Sequence, residues 1–306
     1  MNRYTEFKST KTIAIPAPTV IVGSVGEIVR AVDTAASGDV IGIMPGTYDM
    51  PGTKVRVSEK DNITIRSVSG GVIFEGSGFH KKDGYKNTTV DNLLTITDNS
   101  RNVLVHGIEF ANSNCHGVKI EGEANVRDIT ISACSFKNIN ERMIKGSKGD
   151  KGYRVGRVLI ANCTFENTEL PYESDHTAEF TGDYIAGIDM MVLDDATIYG
   201  CKFKNIRGVH GGARGAIFLW VESKNVTAEY NKIENCDRGI CFGNPHNVNG
   251  IAHVDGGLMK ENTITGVRGQ AIELAWTNDV TIEGNSLEKG ISDTGDVKST
   301  NVNFVK

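Results

Sequence analysis

Charged side chains of the kinds that move protons and bind anions occur at matching positions in three short segments. In HGVKIEG (116–122) and RMIKG (142–146), His116 or Arg142 stands three residues before a lysine, Lys119 or Lys145, and in GIDMM the corresponding position is Asp189. A lysine whose pKa is lowered by neighbouring cations can remove a proton from carbon. An arginine can hold a carboxylate through two parallel hydrogen bonds. The segments therefore offer a base and an anion-binding cation, with an imidazole to return a proton and a carboxylate to orient the lysine.

A short apolar motif that recurs along the chain indicates how these segments are arranged. The clearest copies are ISACSFKN, IANCTFEN, IYGCKFKN and AEYNKIEN, which end at Asn138, Asn167, Asn205 and Asn235. The matched apolar residues follow one another at intervals of 26, 29, 38, 30, 31 and 23 residues: Phe110, Phe136, Phe165, Phe203, Ile233, Ile264 and Leu287. A fixed motif at variable spacing is typical of stacked repeats with constant strands and loops of different length.

A second type of strand, which includes the charged segments, alternates with this motif. Apolar and polar residues alternate in it with period two, as in GAIFLWV (215–221) and QAIELAW (270–276), so that one face points inward. No helix-length amphipathic pattern separates the repeats, which disfavours βαβ units. The sequence therefore predicts an all-β fold, a single-stranded right-handed parallel β-helix or solenoid.

The alternation also predicts which side chains of the second strand face the core. Six apolar residues are expected to point inward: Val118, Ile144, Ile188, Ile217, Ile240 and Ile272. Their successors then point outward: Lys119, Lys145, Asp189, Phe218, Cys241 and Glu273. Because stacked strands lie about 4.8 Å apart, we expect Lys119, Lys145 and Asp189 to lie in line on a solvent-exposed surface.

A ligand-binding cleft is expected on this surface, walled by the long insertions 168–185 and 206–214, because loops on a rigid scaffold commonly carry function. The predicted catalytic residues are Lys145, Asp189, Arg142 and His116. The predicted substrate-binding residues are Lys119, Trp220, Arg238, His210, Arg214 and Glu273.

Both ends of a solenoid expose strand edges that need covering. Residues 24–37 predict an N-terminal capping helix, since Ser24 and Glu27 form a capping box before one apolar helical face, and Gly38 follows the helix. Coils are expected over 39–289, followed by a polar C-terminal tail over 290–306. We expect residues 1–306 to form a single domain.

Composition and charge narrow the possible partners. The 33 basic and 38 acidic residues give a net charge of −5 without a run of lysine or arginine, which disfavours nucleic acid as a partner. The chain has no apolar run long enough for a membrane span. The first twenty residues lack the apolar segment of a signal peptide, although we expect secretion or a periplasmic location in the native setting.

The cysteines have no spacing typical of a metal site. Cys134, Cys163 and Cys201 occupy one position of the recurring motif and are expected to form an inward ladder of small side chains. The Asn residues at the motif ends are expected to form a second, structural ladder at a bend. No metal site and no cofactor are predicted; calcium is left open, and no HxH or HExxH spacing supports a zinc site.

The capping segment followed by GDVIGIMPGTYD, together with AIFLWVESKNVTAEYNKIENCDRGICFGN, resembles the pectate-lyase-like superfamily of right-handed parallel β-helix proteins. It is similar in particular to bacterial proteins with right-handed β-helix repeats. The resemblance covers residues 20–290 or so and implies relatives that are uronate lyases, epimerases, polygalacturonase-like hydrolases or phage depolymerases. Neither the acidic pairs of the hydrolases nor the calcium cluster of the pectate lyases is evident, so no family residue is carried over.

Three functions follow as hypotheses. The first is a polysaccharide lyase or epimerase acting on a uronic-acid polymer, with Lys145 as base and Arg142 or Arg238 on the substrate carboxylate. The second is a glycoside hydrolase, which needs two carboxylates within about 10 Å. Asp189 and Glu273 are expected three coils apart, so Glu179, Asp183 or Glu222 would have to reach Asp189. The third is a non-catalytic carbohydrate-binding or adhesive solenoid, in which Trp220 and Phe218 stack on sugar rings.

Overall fold

The chain winds through successive coils, each of which contributes one strand to each of three parallel sheets. The computed structural model describes residues 13–52, 55–86, 90–149, 151–245 and 250–305. Sheet A contains β1 (Val20–Val22), β2 (Val40–Ile43), β5 (Thr64–Ser67), β8 (Arg101–His106), β11 (Arg127–Ser132), β14 (Val158–Ala161), β17 (Asp194–Tyr199), β20 (Ser223–Glu229), β23 (Val254–Lys260), β26 (Thr277–Glu283) and β29 (Thr300–Val305).

Sheet B contains β3 (Gly46–Asp49), β6 (Val72–Glu75), β9 (Ile108–Ser113), β12 (Ser135–Ile139), β15 (Thr164–Glu166), β18 (Lys202–Lys204), β21 (Lys232–Glu234), β24 (Thr263–Thr265) and β27 (Ser286–Leu287). Sheet C contains β4 (Val55–Ser58), β7 (Asn92–Thr97), β10 (His116–Ile120), β13 (Arg142–Gly146), β16 (Ala186–Met191), β19 (Ile217–Trp220), β22 (Ile240–Gly243), β25 (Ile272–Ala275) and β28 (Ile291–Asp293). This architecture is the predicted parallel β-helix.

The recurring apolar motif forms sheet B, where its aromatic residues stack inside the coil. Phe110, Phe136, Phe165 and Phe203 have ring centroids 5.1, 4.8 and 4.5 Å apart in succession. Ile233 and Ile264 follow Phe203 in the same register. One large apolar side chain per coil therefore fills the interior, which is why the motif is retained while the loops vary.

Two asparagine ladders accompany the strands. Asn231 and Asn262 each donate a side-chain hydrogen bond to the amide oxygen of the next asparagine, ending at Asn285, at 3.0 and 2.8 Å. Asn138 and Asn205, at the motif ends, adopt left-handed backbone conformations with φ of 53° and 57°, which asparagine tolerates better than most residues. The first ladder satisfies the buried amides of Asn231 and Asn262 from coil to coil.

The N-terminal end is covered by α1 (Val25–Thr34), the predicted capping helix. The Ser24 hydroxyl accepts a hydrogen bond from the Glu27 backbone N–H, and the Glu27 carboxylate accepts one from the Gly23 N–H at 2.9 Å. Ile28 and Val32 are fully buried and join the core. Short 3-10 helices occupy Gly84–Lys86, Gly122–Ala124 and Glu173–Asp175. No helix among the described residues is long and apolar enough to cross a membrane.

The C-terminal segment differs from the expectation of a tail after residue 289. β28 pairs with β25, and β29 pairs with β26, both in parallel register. The coiling therefore continues to Val305. The sequence pattern is weak here because β29 is an edge strand with mostly exposed side chains, including Phe304, so the alternation of apolar and polar residues is lost.

Candidate active site

Sheet C carries the predicted outward column in the expected register. Lys119 pairs with Lys145, Lys145 with Asp189, and Asp189 with Phe218 on consecutive strands. The preceding residues Val118, Ile144, Ile188 and Ile217 are fully buried in the core. The strand phase read from the sequence is therefore confirmed, and Lys145 and Asp189 lie side by side.

Asp189 is the centre of a hydrogen-bonded cluster. Its Oδ2 accepts hydrogen bonds from Arg142 Nε at 2.7 Å and from Lys145 Nζ at 2.9 Å, and its Oδ1 accepts one from Trp220 Nε1 at 3.0 Å. Burial alone would raise the pKa of Asp189, but Lys145 and Arg142 outweigh it and lower the pKa to about 2. Asp189 is thus a permanent carboxylate that holds two cations.

The pKa of Lys145 is lowered, whereas an ion pair normally raises the pKa of an exposed lysine. Burial lowers its pKa, and although Asp189 raises it, the neighbouring Arg142 lowers it further, so that the net shift is downward. A lysine with a lowered pKa presents more neutral amine at a given pH, which is the form that can accept a proton.

The expectation that this column faces open solvent was wrong. Lys145 is 8% exposed and Asp189 is 1% exposed. The insertion 168–185 folds over them, with the Tyr184 ring 3.7 Å from the Arg142 guanidinium carbon and Phe180 packed on Tyr184. No periodic pattern marks this insertion as a cover, because its residues are held by individual polar contacts and not by a strand.

Asp175 anchors the covering insertion. The Asp175 carboxylate accepts hydrogen bonds from the backbone N–H groups of Tyr172 and Lys81 and from the Asn140 side chain, and it pairs with His80 Nδ1 at 2.9 Å. The His80 ring in turn stacks on Tyr172, with centroids 3.7 Å apart. The insertion is therefore attached both to a second loop and to the solenoid.

A cavity of about 360 Å³ lies between the sheet and the insertion. The cavity is lined by Arg142, Lys145, Glu179, Phe180, Tyr184, Asp189, Met191, Arg214, Phe218, Trp220 and Asn244. Tyr184 was not among the predicted site residues. Its proximity to β16 was the available signal, because it stands two residues before Ala186, the register partner of Arg142. Burial raises the pKa of Tyr184, so its hydroxyl stays protonated.

The comparisons with known proteins agree with this architecture. A family model described as the right handed beta helix region matches residues 61–304. The chain belongs to this family. No curated protein sequence matches the chain.

Two solved structures show how far the likeness to β-helix proteins extends. The chain is similar to an alginate lyase from Paenibacillus sp. str. FPU-7, with a TM-score of 0.61 and 13% identity over 94% of this chain and 97% of that one. It is also similar to the pectate lyase Pel9A, with a TM-score of 0.58 and 12% identity over 89% of this chain and 73% of that one. At such identities the likeness shows that this β-helix has the fold of polysaccharide lyases.

A second cavity of about 470 Å³ shares Phe180 and Tyr184 with the first, and Glu141 and Cys115 lie on its wall. Ligand atoms of Cys115, His116 and Glu141 lie within 4.8 Å of one another, a grouping that the cysteine spacing did not reveal. The Lys81 ammonium already pairs with Glu141. We therefore interpret this cluster of the β-helix as an ion-paired network.

His116, a predicted catalytic residue, belongs to this network. Its Nδ1 accepts a hydrogen bond from the Arg142 backbone N–H at 3.4 Å, so the neutral ring carries its proton on Nε2, which lies 3.9 Å from the Glu141 carboxylate. A metal-binding histidine normally donates its other ring N–H, and His116 cannot do so here. Burial lowers the pKa of His116 to about 4, so the ring is neutral near pH 7.

The predicted substrate-binding residues lie in four places on the β-helix. Arg214 and Arg238 converge on Glu273, with nitrogen–oxygen distances of 3.4 and 2.9 Å. Lys119 pairs with Glu121 at 3.1 Å, one coil from Lys145.

The other two do not form part of an open binding surface. Trp220 lines the first cavity, but its N–H is used by Asp189 and its ring stacks on Phe218, with centroids 5.0 Å apart. His210 lies on an exposed loop, where it pairs with Glu173 at 3.0 Å, and is not among the residues that line the first cavity.

Proposed function

We propose that the protein is a polysaccharide lyase that cleaves a uronic-acid polymer by β-elimination in the cavity between sheet C and insertion 168–185. The observation that supports this most directly is the buried pair of Lys145 and Asp189, in which a lysine of lowered pKa lines a cavity together with a protonated tyrosine. A base and an acid with separated tasks in one cavity are what an elimination requires. The fold is shared with an alginate lyase and a pectate lyase.

Each step can be assigned to a side chain. Lys145 Nζ takes the proton from C5 of the uronate, the electron pair forms the C4–C5 double bond, and the bond from C4 to the glycosidic oxygen breaks. Tyr184 Oη gives its proton to that oxygen. Arg142, whose Nη1 is buried without a hydrogen-bond partner, faces the negative charge that develops on the uronate carboxylate. Asp189 holds Arg142 and Lys145 in place.

The hydrolase hypothesis is poorly supported by the same groups. A glycoside hydrolase needs one protonated carboxyl group, whereas Asp189 has a pKa of about 2 and accepts three hydrogen bonds. Glu273 is held by two arginines and lies three strand spacings away, roughly 14 Å. An epimerase would use the same base but would return a proton to C5 and leave the chain intact.

The test is the ultraviolet absorbance of the conjugated product and the number of reducing ends formed from alginate, pectate and neutral polysaccharides. We expect the wild type to form both signals from a uronate polymer, and Lys145→Ala to lose them by about 10²-fold or more. Lys202→Ala, at an exposed position of β18 on sheet B, is the matched control and should behave as wild type. Reducing ends without unsaturation would contradict the lyase, and an altered sugar composition without chain cleavage would indicate an epimerase.

A further inference from the structure

The Arg142–Asp189 pair has a second copy further along the solenoid. Arg142 stands two residues before the inward Ile144, and Asp189 follows the inward Ile188 of the next coil. In the same way, Arg238 stands two residues before Ile240, and Glu273 follows Ile272 of the next coil. Arg238 Nε donates to Glu273 Oε2 at 2.9 Å, much as Arg142 Nε donates to Asp189. The copies are three strand spacings apart, roughly 14 Å.

The two copies have the same balance of charge but different chemistry. In each of them two cations surround one carboxylate: Arg142 and Lys145 around Asp189, and Arg238 and Arg214 around Glu273. Each cluster therefore carries one positive charge in excess while Lys145 is protonated, and the second cluster keeps that charge when Lys145 is the neutral base. At the position of Lys145, however, the second copy has Cys241, a buried thiol whose pKa burial raises to about 12. The second cluster can attract an anion but has no base.

Arg214 connects the second cluster to the proposed catalytic cavity. Arg214 lines that cavity together with Lys145 and Tyr184. Its guanidinium carbon lies 4.8 Å from the centroid of the Phe218 ring, and its Nη2 lies 3.4 Å from Glu273 Oε1. Its Nε is buried without a hydrogen-bond partner. Buried guanidinium N–H groups are rarely left unsatisfied, and Arg142 Nη1 is a second such group on the same wall.

We infer that Arg214 binds the carboxylate of a second uronate residue of the same polymer chain, two to three sugars from the residue at Lys145. Two cationic clusters that meet at one cavity through Arg214 match a linear polymer that carries a carboxylate on each repeat, because a pyranose unit is about as long as one coil is thick. Glu273 holds the guanidinium group of Arg214, and Arg238 holds Glu273, so both act as positioning residues. The inference rests on the proposed function for the identity of the polymer, and it adds that short substrates bind weakly.

The experiment compares the binding of uronate oligomers of two and six residues by calorimetry, in the Lys145→Arg background, which removes the base but keeps the positive charge of the first cluster. We expect the hexamer to bind more tightly than the dimer. Arg214→Gln should weaken hexamer binding by about tenfold or more and leave dimer binding unchanged, because one charge-assisted contact is lost. Arg157→Gln, which breaks a partly exposed pair with Asp128 at the sheet A face, is the control and should leave both affinities unchanged.

A second variant guards against a folding defect. Arg214→Lys keeps the charge but loses the paired guanidinium N–H donors, so hexamer affinity should fall between those of the Lys145→Arg parent and Arg214→Gln. Equal weakening of dimer and hexamer, or no weakening of the hexamer, would overturn the inference. If binding depends on length but the wild type forms no unsaturated product, the lyase proposal alone is wrong. If the lyase activity on the polymer is the same in the wild type and in Arg214→Gln, only the inference about Arg214 is wrong.

Discussion

Lys145 Nζ and Asp189 Oδ2 lie 2.9 Å apart on adjacent coils, in register on β13 and β16 and almost completely buried. Burying this ion pair is costly, and the pair is stabilised because Arg142 and Trp220 donate further hydrogen bonds to the carboxylate oxygens. Removing one partner of such a pair leaves the other as an unpaired buried charge, at a large cost in stability. Asp189 can therefore hold the Lys145 side chain in one position.

We expect Asp189→Asn to destabilise the protein by about 3–5 kcal/mol, because Arg142 and Lys145 then remain as uncompensated buried cations. Denaturant unfolding measures this change. Asp194→Asn removes the matched pair with Arg154, a partly exposed pair at 2.7 Å, and should cost no more than about 1 kcal/mol. Equal effects of the two substitutions would show that burial does not govern the Asp189 cluster.

Tyr184→Phe is expected to separate the proposed catalytic role of the hydroxyl from the packing of the ring. The ring that stacks on Arg142 is retained, so stability should change little, while kcat should fall by about 10²–10⁴-fold if Tyr184 protonates the leaving oxygen. Tyr230→Phe, at an exposed position in the bend after β20 and not among the residues that line the cavity, is the control. Retention of kcat in Tyr184→Phe would assign the proton to another group.

Stability is expected to fall as the pH is lowered from about 6.5 to 4. Burial is the main cause that lowers the pKa of both His116 and His176 to about 4, below the value near 6.5 of an unfolded histidine. Between these values the unfolded chain binds more protons, so each histidine destabilises the fold by up to about 3 kcal/mol as the pH is lowered. Asp189 adds little in this window, because its stabilising contribution is lost mainly as the pH falls from the unfolded value near 3.9 toward its folded pKa of about 2.

Unfolding curves at pH 7, 5.5 and 4 test this dependence. His176 links the covering insertion to the solenoid, since its Nδ1 accepts the Tyr184 backbone N–H at 3.1 Å and its Nε2 contacts Asn140 at 2.9 Å. Replacing it, as in His176→Gln, should reduce the loss of stability between pH 7 and 4 by up to about 3 kcal/mol, the share of one histidine. A stability that is constant from pH 7 to 4 would contradict the assignment of both histidines.

The stacked phenylalanines are expected to dominate the stability of the coils. Phe165 lies between Phe136 and Phe203 and is 1% exposed, so Phe165→Ala should cost about 3–5 kcal/mol. Thermal unfolding measures the loss. Thr164→Ala, at the neighbouring exposed position, should change stability by less than about 0.5 kcal/mol.

The features that repeat could be predicted from the sequence, and those that occur once could not. Ile144 and Ile188 fix the strand phase because period-two alternation recurs in every coil, and this phase places Lys145 beside Asp189. Tyr184 and Asp175 act through single contacts made by a non-repeating insertion, so no periodicity reports them. The burial of Lys145 could not be predicted for the same reason, because an outward strand position does not show which loop covers it.

The release of the hydrogen at C5 tests the central claim most directly. With a uronate polymer labelled with tritium at C5, the wild type should transfer the label to water as the chain is cleaved, and Lys145→Ala should transfer none above background. Chain cleavage with the label retained at C5 would contradict proton abstraction by Lys145.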